Sequence, residues 1–460
     1  MVFSSTVFLF LFLPIVVLIY FNPIVKNRTF KNIFLLLASL SFYAWGEPVF
    51  VFLMMFSILV TWILGLHLNG LHRKTVLFVG IGYHVSVLFL FKYFAFFVEQ
   101  IGFLLNRNFS NSIRISLPIG ISFFTFQMMS YLFDIYYGKA DAQKNPLYVG
   151  LYVALFPQLI AGPIVRYQDI ADQIINRTES ADKFCSGMQR FAIGLGKKVL
   201  ISDYMAQLAD MSFNSINNMS VLSAWLGAIA YTFQIYFDFS GYSDMAIGLG
   251  KMFGFEFNEN FNYPYISKNI TDFWRRWHIS LSTWFRDYVY IPLGGNRVSK
   301  MRWIFNLFLV WLLTGIWHGA NWTFLVWGLI YFVFLLIEKL TNFDRHIGIL
   351  KYVYTAIVVI FAWVIFRADT LEMGVSYLSN MIGIGANGFI DAIFVNKLSG
   401  AAVVLFAACV GATPLFKNII LKLKNKRFGW IEPVFTLLVF ILSIMQAISS
   451  TYSPFIYFNF

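Results

Sequence analysis

Apolar runs follow one another along this chain with little between them, and no other feature limits its fold as much. They fall at 5–22, 32–46, 49–66, 75–104, 117–137, 147–162, 187–201, 221–250, 303–317, 321–337, 352–366, 397–415 and 431–449. A helix needs about 20 apolar residues to cross the hydrocarbon of a bilayer. Inside hydrocarbon each backbone N–H and C=O must bond within the protein, which leaves helices and closed barrels as the spanning structures. Runs of this length are the helical kind. Several are shorter than a full span and are expected to be tilted, re-entrant or buried in protein. The expected fold class is an all-α polytopic membrane protein, with about eleven spans plus re-entrant or interfacial helices.

Composition agrees. The 460 residues are 59% hydrophobic and 12% charged, against about 25% charged in water-soluble domains. A soluble core of this size has no room for so much apolar surface. Aromatics make up 20%, with 54 Phe. Interfacial belts take part of them, and the rest must pack between helices or line a cavity. The N-terminal stretch MVFSSTVFLFLFLPIVVLIYF lacks a basic leading region and a small-residue cleavage site, so it reads as a retained first span. Two cysteines, Cys185 and Cys409, make no framework and no CxxC pair.

The net charge of +12 does not point to nucleic acid, because the basic residues sit in short loops between apolar runs. That is how orientation signals look. Lys26, Arg28 and Lys31 follow the first run, and Arg73 and Lys74 follow the third. Both loops are expected on the cytoplasmic side, as are Arg297, Lys300 and Arg302, and the group Lys417, Lys422, Lys424, Lys426 and Arg427. The tail STYSPFIYFNF then lies outside. The stretch 92–146 has no clear side. No internal repeat, low-complexity linker or soluble domain stands out.

Region 255–300 carries too many charges to span, yet is rich in Arg, Trp and Tyr. An amphipathic segment packed in or under the membrane on the cytoplasmic side is expected. If its stretch DFWRRWHISLSTWFRDYVYIPLGG is one helix, Trp274, His278 and Leu281 share a face. Arg275, Arg276 and Arg286 can grip phosphate in bidentate fashion, or hold lipid headgroups. Tyr288 and Tyr290 are suited to line a groove.

Of six histidines, His67, His72 and His346 read as solvated surface residues, and His84 as a packed core residue. His318 differs. It lies in LTGIWHGANWTFLVWG, between two apolar runs and beside Gly315 and Gly319. A titratable group at membrane depth is expensive and is a functional candidate by default. Trp317, Asn321 and Trp322 add polar handles and aromatic walls. Asp134, Asp238 and Asp244 also lie in apolar runs and must pair or face water. Structural pairing between helices is the expected role. The alternative is a proton or solute path with His318, as in a transporter or channel. No nucleotide, hydrolase or metal motif is present in the sequence.

FWRRWHISLSTWFRDYVYIPLGG and LTGIWHGANWTFLVWG, with their histidines forty residues apart, closely resemble the signature of the membrane-bound O-acyltransferase family. The stretches LPIGISFFTFQMMSYLFDIYYGK, FPQLIAGPIVRYQDI and YFDFSGYSDMAIGLG fit the same branch. It comprises bacterial membrane subunits for acetylation of alginate, peptidoglycan and cellulose, with the D-alanine exporters for teichoic acid as distant cousins. The match covers most of 110–335, and the tail.

The resemblance implies one integral-membrane acyltransferase domain over 1–460, in the bacterial inner membrane, with a ring of spans around a thin central channel. It implies His318 as the catalytic histidine and His278 as the family's second histidine. The expected donor substrate is acetyl-CoA or another small acyl-CoA from the cytoplasm, its phosphates met by Arg275, Arg276, Arg286 and Arg297, with no bound cofactor and no metal. Trp317 and Asn321 are expected at the substrate, with Asn321 or a backbone N–H near Gly319 facing the thioester oxygen. The acceptor is a cell-envelope or extracellular polysaccharide, reached through a periplasmic SGNH-type partner. By similarity to D-alanine export, Tyr457 in the tail relays the acyl group, or the tail is an aromatic anchor at the outer interface. Acylation of a protein or lipid is the other enzymatic reading.

Overall fold

Side-chain acceptors start many of the helices, as expected where backbone N–H groups have no partner in the preceding turn. In the computed structural model, Asn27 accepts from Thr29 N, Asn145 from Leu147 N, Asn269 from Asp272 N and Asn321 from Thr323 N. Residues 1–24, 26–107, 115–160, 162–424, 428–449 and Phe455 are described, and among them all regular structure is helical.

In chain order the α-helices are α1 (Leu13–Tyr20), α2 (Arg28–Ala44), α3 (Phe50–His67), α4 (Arg73–Leu88), α5 (Phe94–Leu104), α6 (Ile121–Tyr136), α7 (Pro146–Ala154), α8 (Phe156–Leu159), α9 (Tyr167–Asn176) and α10 (Ala181–Gly196). There follow α11 (Asp203–Phe213), α12 (Val221–Met252), α13 (Ile270–Arg276), α14 (Ile279–Phe285), α15 (Lys300–His318), α16 (Trp322–Thr341), α17 (Leu350–Arg367), α18 (Leu371–Met381), α19 (Ala392–Gly411), α20 (Leu415–Lys424) and α21 (Ile431–Ser449).

Six helices among the described residues are long and apolar enough to cross a membrane: Phe50–His67, Arg73–Leu104, Trp322–Thr341, Leu350–Arg367, Ala392–Gly411 and Ile431–Ser449. The chain is therefore an all-α, multi-pass membrane protein. Its apolar helix Phe8–Tyr20 is shorter than these. The run 147–162 also yields no long helix, breaking into α7 and α8 at Leu155. These pieces are instead buried in protein, one of the fates expected for short runs.

The chain divides into two compact units, one of Met1–Phe191 with Tyr242–Asn258 and one of Ala192–Gly241 with Glu259–Phe460. In the first, α6 is buried at each residue from Ile121 to Ile135, packed against α3, α4, α7 and α9. Two of its polar groups bond within the unit. The Asp134 carboxylate accepts from Gln168 N at 2.9 Å, at the start of α9, and Ser130 meets the Tyr152 hydroxyl at 2.9 Å. Arg28 grips Glu179 from the start of α2, and the Tyr20 hydroxyl donates to the same carboxylate at 2.5 Å. Burial alone would raise the Glu179 carboxyl, but bonds from Arg28 and Tyr20 outweigh it and hold the pKa at about 2.

In the second unit, α15 and α16 form a tight hairpin. A methyl on Gly315 would sit 2.6 Å from the Phe324 carbonyl oxygen, and one on Gly328 would sit 2.5 Å from that of Trp311. Only glycine permits so close a backbone approach. The Glu338 carboxylate, near the end of α16, accepts from Ile270 N at 2.6 Å, Thr271 N at 3.0 Å and Thr271 Oγ1 at 2.8 Å. An acidic group there satisfies the first N–H groups of α13 and complements its dipole. The span α16 thus holds α13 in place.

Candidate active site

Region 255–300 has a buried and an exposed side, as an amphipathic segment should. Phe273, Trp274, Trp277, Trp284, Phe285 and Tyr288 are buried, while Arg275, Arg286 and Arg297 are exposed. It is not one helix. Trp277 is extended (φ −101°, ψ 130°) and His278 is left-handed (φ 44°, ψ 53°), so α13 ends before His278 and α14 begins after it. The single-helix face through Trp274, His278 and Leu281 is thereby corrected. All three side chains are buried, but a reversal of the backbone brings them in. A non-glycine residue in the left-handed region costs about 1–3 kcal/mol and persists only where its surroundings demand it.

The demand comes from Asn260. Its Oδ1 accepts from Ser280 N at 3.2 Å and Ser280 Oγ at 2.9 Å. A backbone N–H only donates, so the oxygen end of that amide faces this site. His278 Nδ1 lies 3.2 Å from the same oxygen and therefore carries the proton. Nε2 is left as a bare lone pair, buried and without a hydrogen-bond partner among the described residues. Burial pushes this imidazole down to about 3, keeping it neutral.

His318 is the last residue of α15 and is 2% exposed. Its ring centroid lies 4.9 Å from Trp317, 4.8 Å from Trp327 and 5.2 Å from Phe366, all edge-on. Trp317 also meets His278 at 5.9 Å. Two histidines forty residues apart in sequence thus share one tryptophan in a buried aromatic cluster. The other four lie elsewhere: His67, His72 and His346 are exposed, and His84 is buried in a bond to Thr61 Oγ1 at 3.0 Å.

The carboxylates in apolar runs are paired. Asp238 meets Lys198 Nζ at 2.8 Å, Lys198 also meets Asp203 at 2.8 Å, and Asp244 meets Arg190 at 2.8 Å. Structural pairing, expected from sequence, is the geometry found.

The family model for membrane-bound O-acyltransferases matches residues 137–377, a stretch that holds both histidines. The chain is 41% identical to the probable alginate O-acetylase AlgI of Pseudomonas putida, over the full length of both chains. The chain belongs to the membrane-bound O-acyltransferase family. It is also 34% identical to the peptidoglycan O-acetyltransferase of Helicobacter pylori, over all of this chain and 98% of that one. A teichoic acid D-alanyltransferase of Bacillus subtilis matches at 34% identity over 47% of this chain and 58% of its own.

In this membrane-bound O-acyltransferase the signature arginines differ in surroundings. Arg276 pairs with Asp272 at 3.0 Å and Arg286 with Asp287 at 2.7 Å. Arg275 is exposed, with no ion pair among the described residues. Both ends of the Asn321 amide are engaged, Oδ1 as the cap of α16 and Nδ2 donating to Asp369 O at 2.9 Å. Asn321 therefore shapes the turn after His318. Tyr457 lies outside the described residues. Phe455 is buried against Phe239, with ring centroids 6.0 Å apart, and Phe239 lies edge-on to His278 at 4.6 Å.

Asn260, Trp327, Tyr331 and Glu338 were not singled out from sequence. Asn260 is eighteen residues from the histidine it orients, and nothing local marks that pairing. Trp327 and Tyr331 carry a faint signal, as hydrogen-bonding aromatics four apart in an apolar run.

Proposed function

We propose that this acyltransferase moves acetyl, or another small acyl group, from a cytoplasmic acyl-CoA to an acceptor hydroxyl, for O-acetylation of a cell-envelope or extracellular polysaccharide. The observation that carries this reading is the pairing of His278 and His318 around Trp317 in a buried aromatic cluster, within a chain alike over its full length to alginate and peptidoglycan O-acetyltransferases. His318 acts as general base. It takes the proton of the acceptor hydroxyl as the oxygen attacks the thioester carbonyl. The C–S bond then breaks, and the proton passes to the thiolate leaving group. General-base help of this kind supplies about 10²–10⁴-fold. His278, neutral and with its lone pair bare, accepts a hydrogen bond from the acceptor or the incoming donor.

Exposed Arg275, Arg286 and Arg297 meet the CoA phosphates on the cytoplasmic side, together with Arg276. The chain sits in the bacterial inner membrane, and both compact units serve one reaction. Its acceptor is reached through a periplasmic SGNH-type partner. Tyr457 is the relay: its phenol takes the acyl group from sulfur and yields it to the partner's hydroxyl. Supporting this, Phe455, two residues along the chain, is buried on Phe239, which lies against His278.

The test is ester-linked acetate on isolated envelope and extracellular polysaccharide, in wild type, a deletion, His318→Ala and Tyr457→Phe at matched membrane levels. His318→Ala should match the deletion. Normal acetylation in His318→Ala sinks the base assignment, and normal acetylation in Tyr457→Phe sinks the relay. The polymer fraction that loses acetate names the substrate.

A further inference from the structure

The buried aromatic cluster that packs on His318 through Trp327 extends to Trp274 and Tyr331 and holds hydrogen-bond donors. The indole Nε1 atoms of Trp274 and Trp327 and the Tyr331 hydroxyl are buried and have no hydrogen-bond partner among the described residues. Trp327 and Tyr331 are 0% exposed and Trp274 is 7% exposed. The rings are locked edge-to-face, with centroids 5.2 Å apart for Trp327 and Tyr331, 5.0 Å for Trp274 and Tyr331, and 5.7 Å for Trp274 and Trp327. Trp327 and Tyr331, four apart on α16, share a helix face. Glu338 on that helix also fixes the start of α13, which carries Trp274. One span thereby sets the position of all three.

Buried polar groups in native proteins are almost always bonded, so three donors in one cluster with no partner among the described residues call for an explanation. An indole N–H can only donate. Such a lining suits an atom that only accepts, and suits it best as that atom gains negative charge. His318 is 4.8 Å from Trp327, ring to ring. We propose that Trp327 and Tyr331, with Trp274 behind them, are the donors for the carbonyl oxygen of the acyl group under transfer.

This deepens the reading above and rests on His318 as the base. As the acceptor oxygen attacks, its proton goes to His318 and the C=O electron pair moves onto the carbonyl oxygen. The N–H and O–H groups hold that oxyanion until the C=O bond re-forms and sulfur leaves with the proton. Donors preorganised in a water-poor site are worth far more than donors in water. Neutral donors also favour the oxyanion over the ground-state carbonyl, so their contribution falls on turnover.

The experiment uses the full chain in proteoliposomes with acetyl-CoA as donor, comparing wild type, Tyr331→Phe, Trp327→Phe and His318→Ala. Tyr331→Phe removes only the hydroxyl. Tyr331→Phe and Trp327→Phe should each lower kcat by about 10²–10³-fold, with KM for acetyl-CoA nearly unchanged. The detergent-solubilised Tm of Tyr331→Phe should hold or rise, because deleting an idle buried donor costs the fold nothing. The proposal falls if both variants turn over normally, or if Tyr331→Phe loses Tm in step with its activity. If the donor variants are slow while His318→Ala is normal, the donor set stands and the base assignment falls. If His318→Ala alone is slow, the base stands and the donor set falls.

Discussion

His278 sits in a strained left-handed conformation with its tautomer dictated by one asparagine oxygen. Its neutrality has a consequence in acid. Burial lowers the folded pKa to about 3, while the unfolded imidazole titrates near 6.5. Below about 6.5 the unfolded chain binds more protons than the folded one, so this contribution to stability is whole above that pH. It drains away as pH falls towards 3. Between pH 6.5 and 5 the loss is about 2 kcal/mol. Asparagine tolerates the left-handed region and does not titrate. His278→Asn should therefore flatten the Tm-versus-pH curve of the solubilised protein between pH 7 and 5. An unchanged slope in that variant would place the titration elsewhere.

At the scale of elements, the site depends on how α13, α15 and α16 are held together. Glu338 makes the link between α16 and α13, and also accepts from the Tyr354 hydroxyl at 3.2 Å on α17. The side chain is 4% exposed. Glu338→Ala strands the N–H groups of Ile270 and Thr271, each worth about 1–3 kcal/mol when left unbonded in the interior. Glu338→Gln keeps an acceptor but turns a donor toward donors. Thermal unfolding should rank wild type above Gln and Gln above Ala. Acetyl transfer should fall in the same order, since α13 carries Trp274. Equal stability of the three would mean that α13 keeps its place without Glu338.

For the whole molecule, acid acts through a second group besides His278. Glu179 has its pKa held at about 2 by Arg28 and Tyr20 against the opposing effect of burial, and an unfolded glutamate titrates near 4.3. The clamp contributes fully above that value and is lost as pH falls towards 2. Arg28→Gln should move the acid transition, followed by helical circular dichroism in detergent, toward neutral pH. The shift should be modest, because both side chains remain partly wet at 27% and 15% exposure. A transition that does not move would mean that the clamp adds nothing to stability.

Much of this is legible in the sequence. Apolar run length bears on a single segment, so the membrane class and the long spans could be read directly. The carboxylates at Asp238 and Asp244 could be expected to pair because an unpaired charge in an apolar run is too costly. His318 could be singled out for the same reason, beside Gly315 and Gly319.

What stayed hidden depends on residues distant in sequence. The break at Trp277–His278 contradicts the local helical pattern, because three hydrogen bonds to the Asn260 side-chain oxygen and one to its backbone carbonyl outweigh the backbone cost. The donor role of Trp327 and Tyr331 is invisible in an apolar run, since an idle N–H is recognised only once each neighbour is known. The sequence alone determined that this chain is a helical membrane protein with histidines at unusual depth. Only the tertiary structure decided that those histidines share a tryptophan, and that an indole with no hydrogen-bond partner among the described residues packs against one of them. Hydrophobicity is carried by each residue, whereas satisfaction of a buried polar atom belongs to the packed neighbourhood.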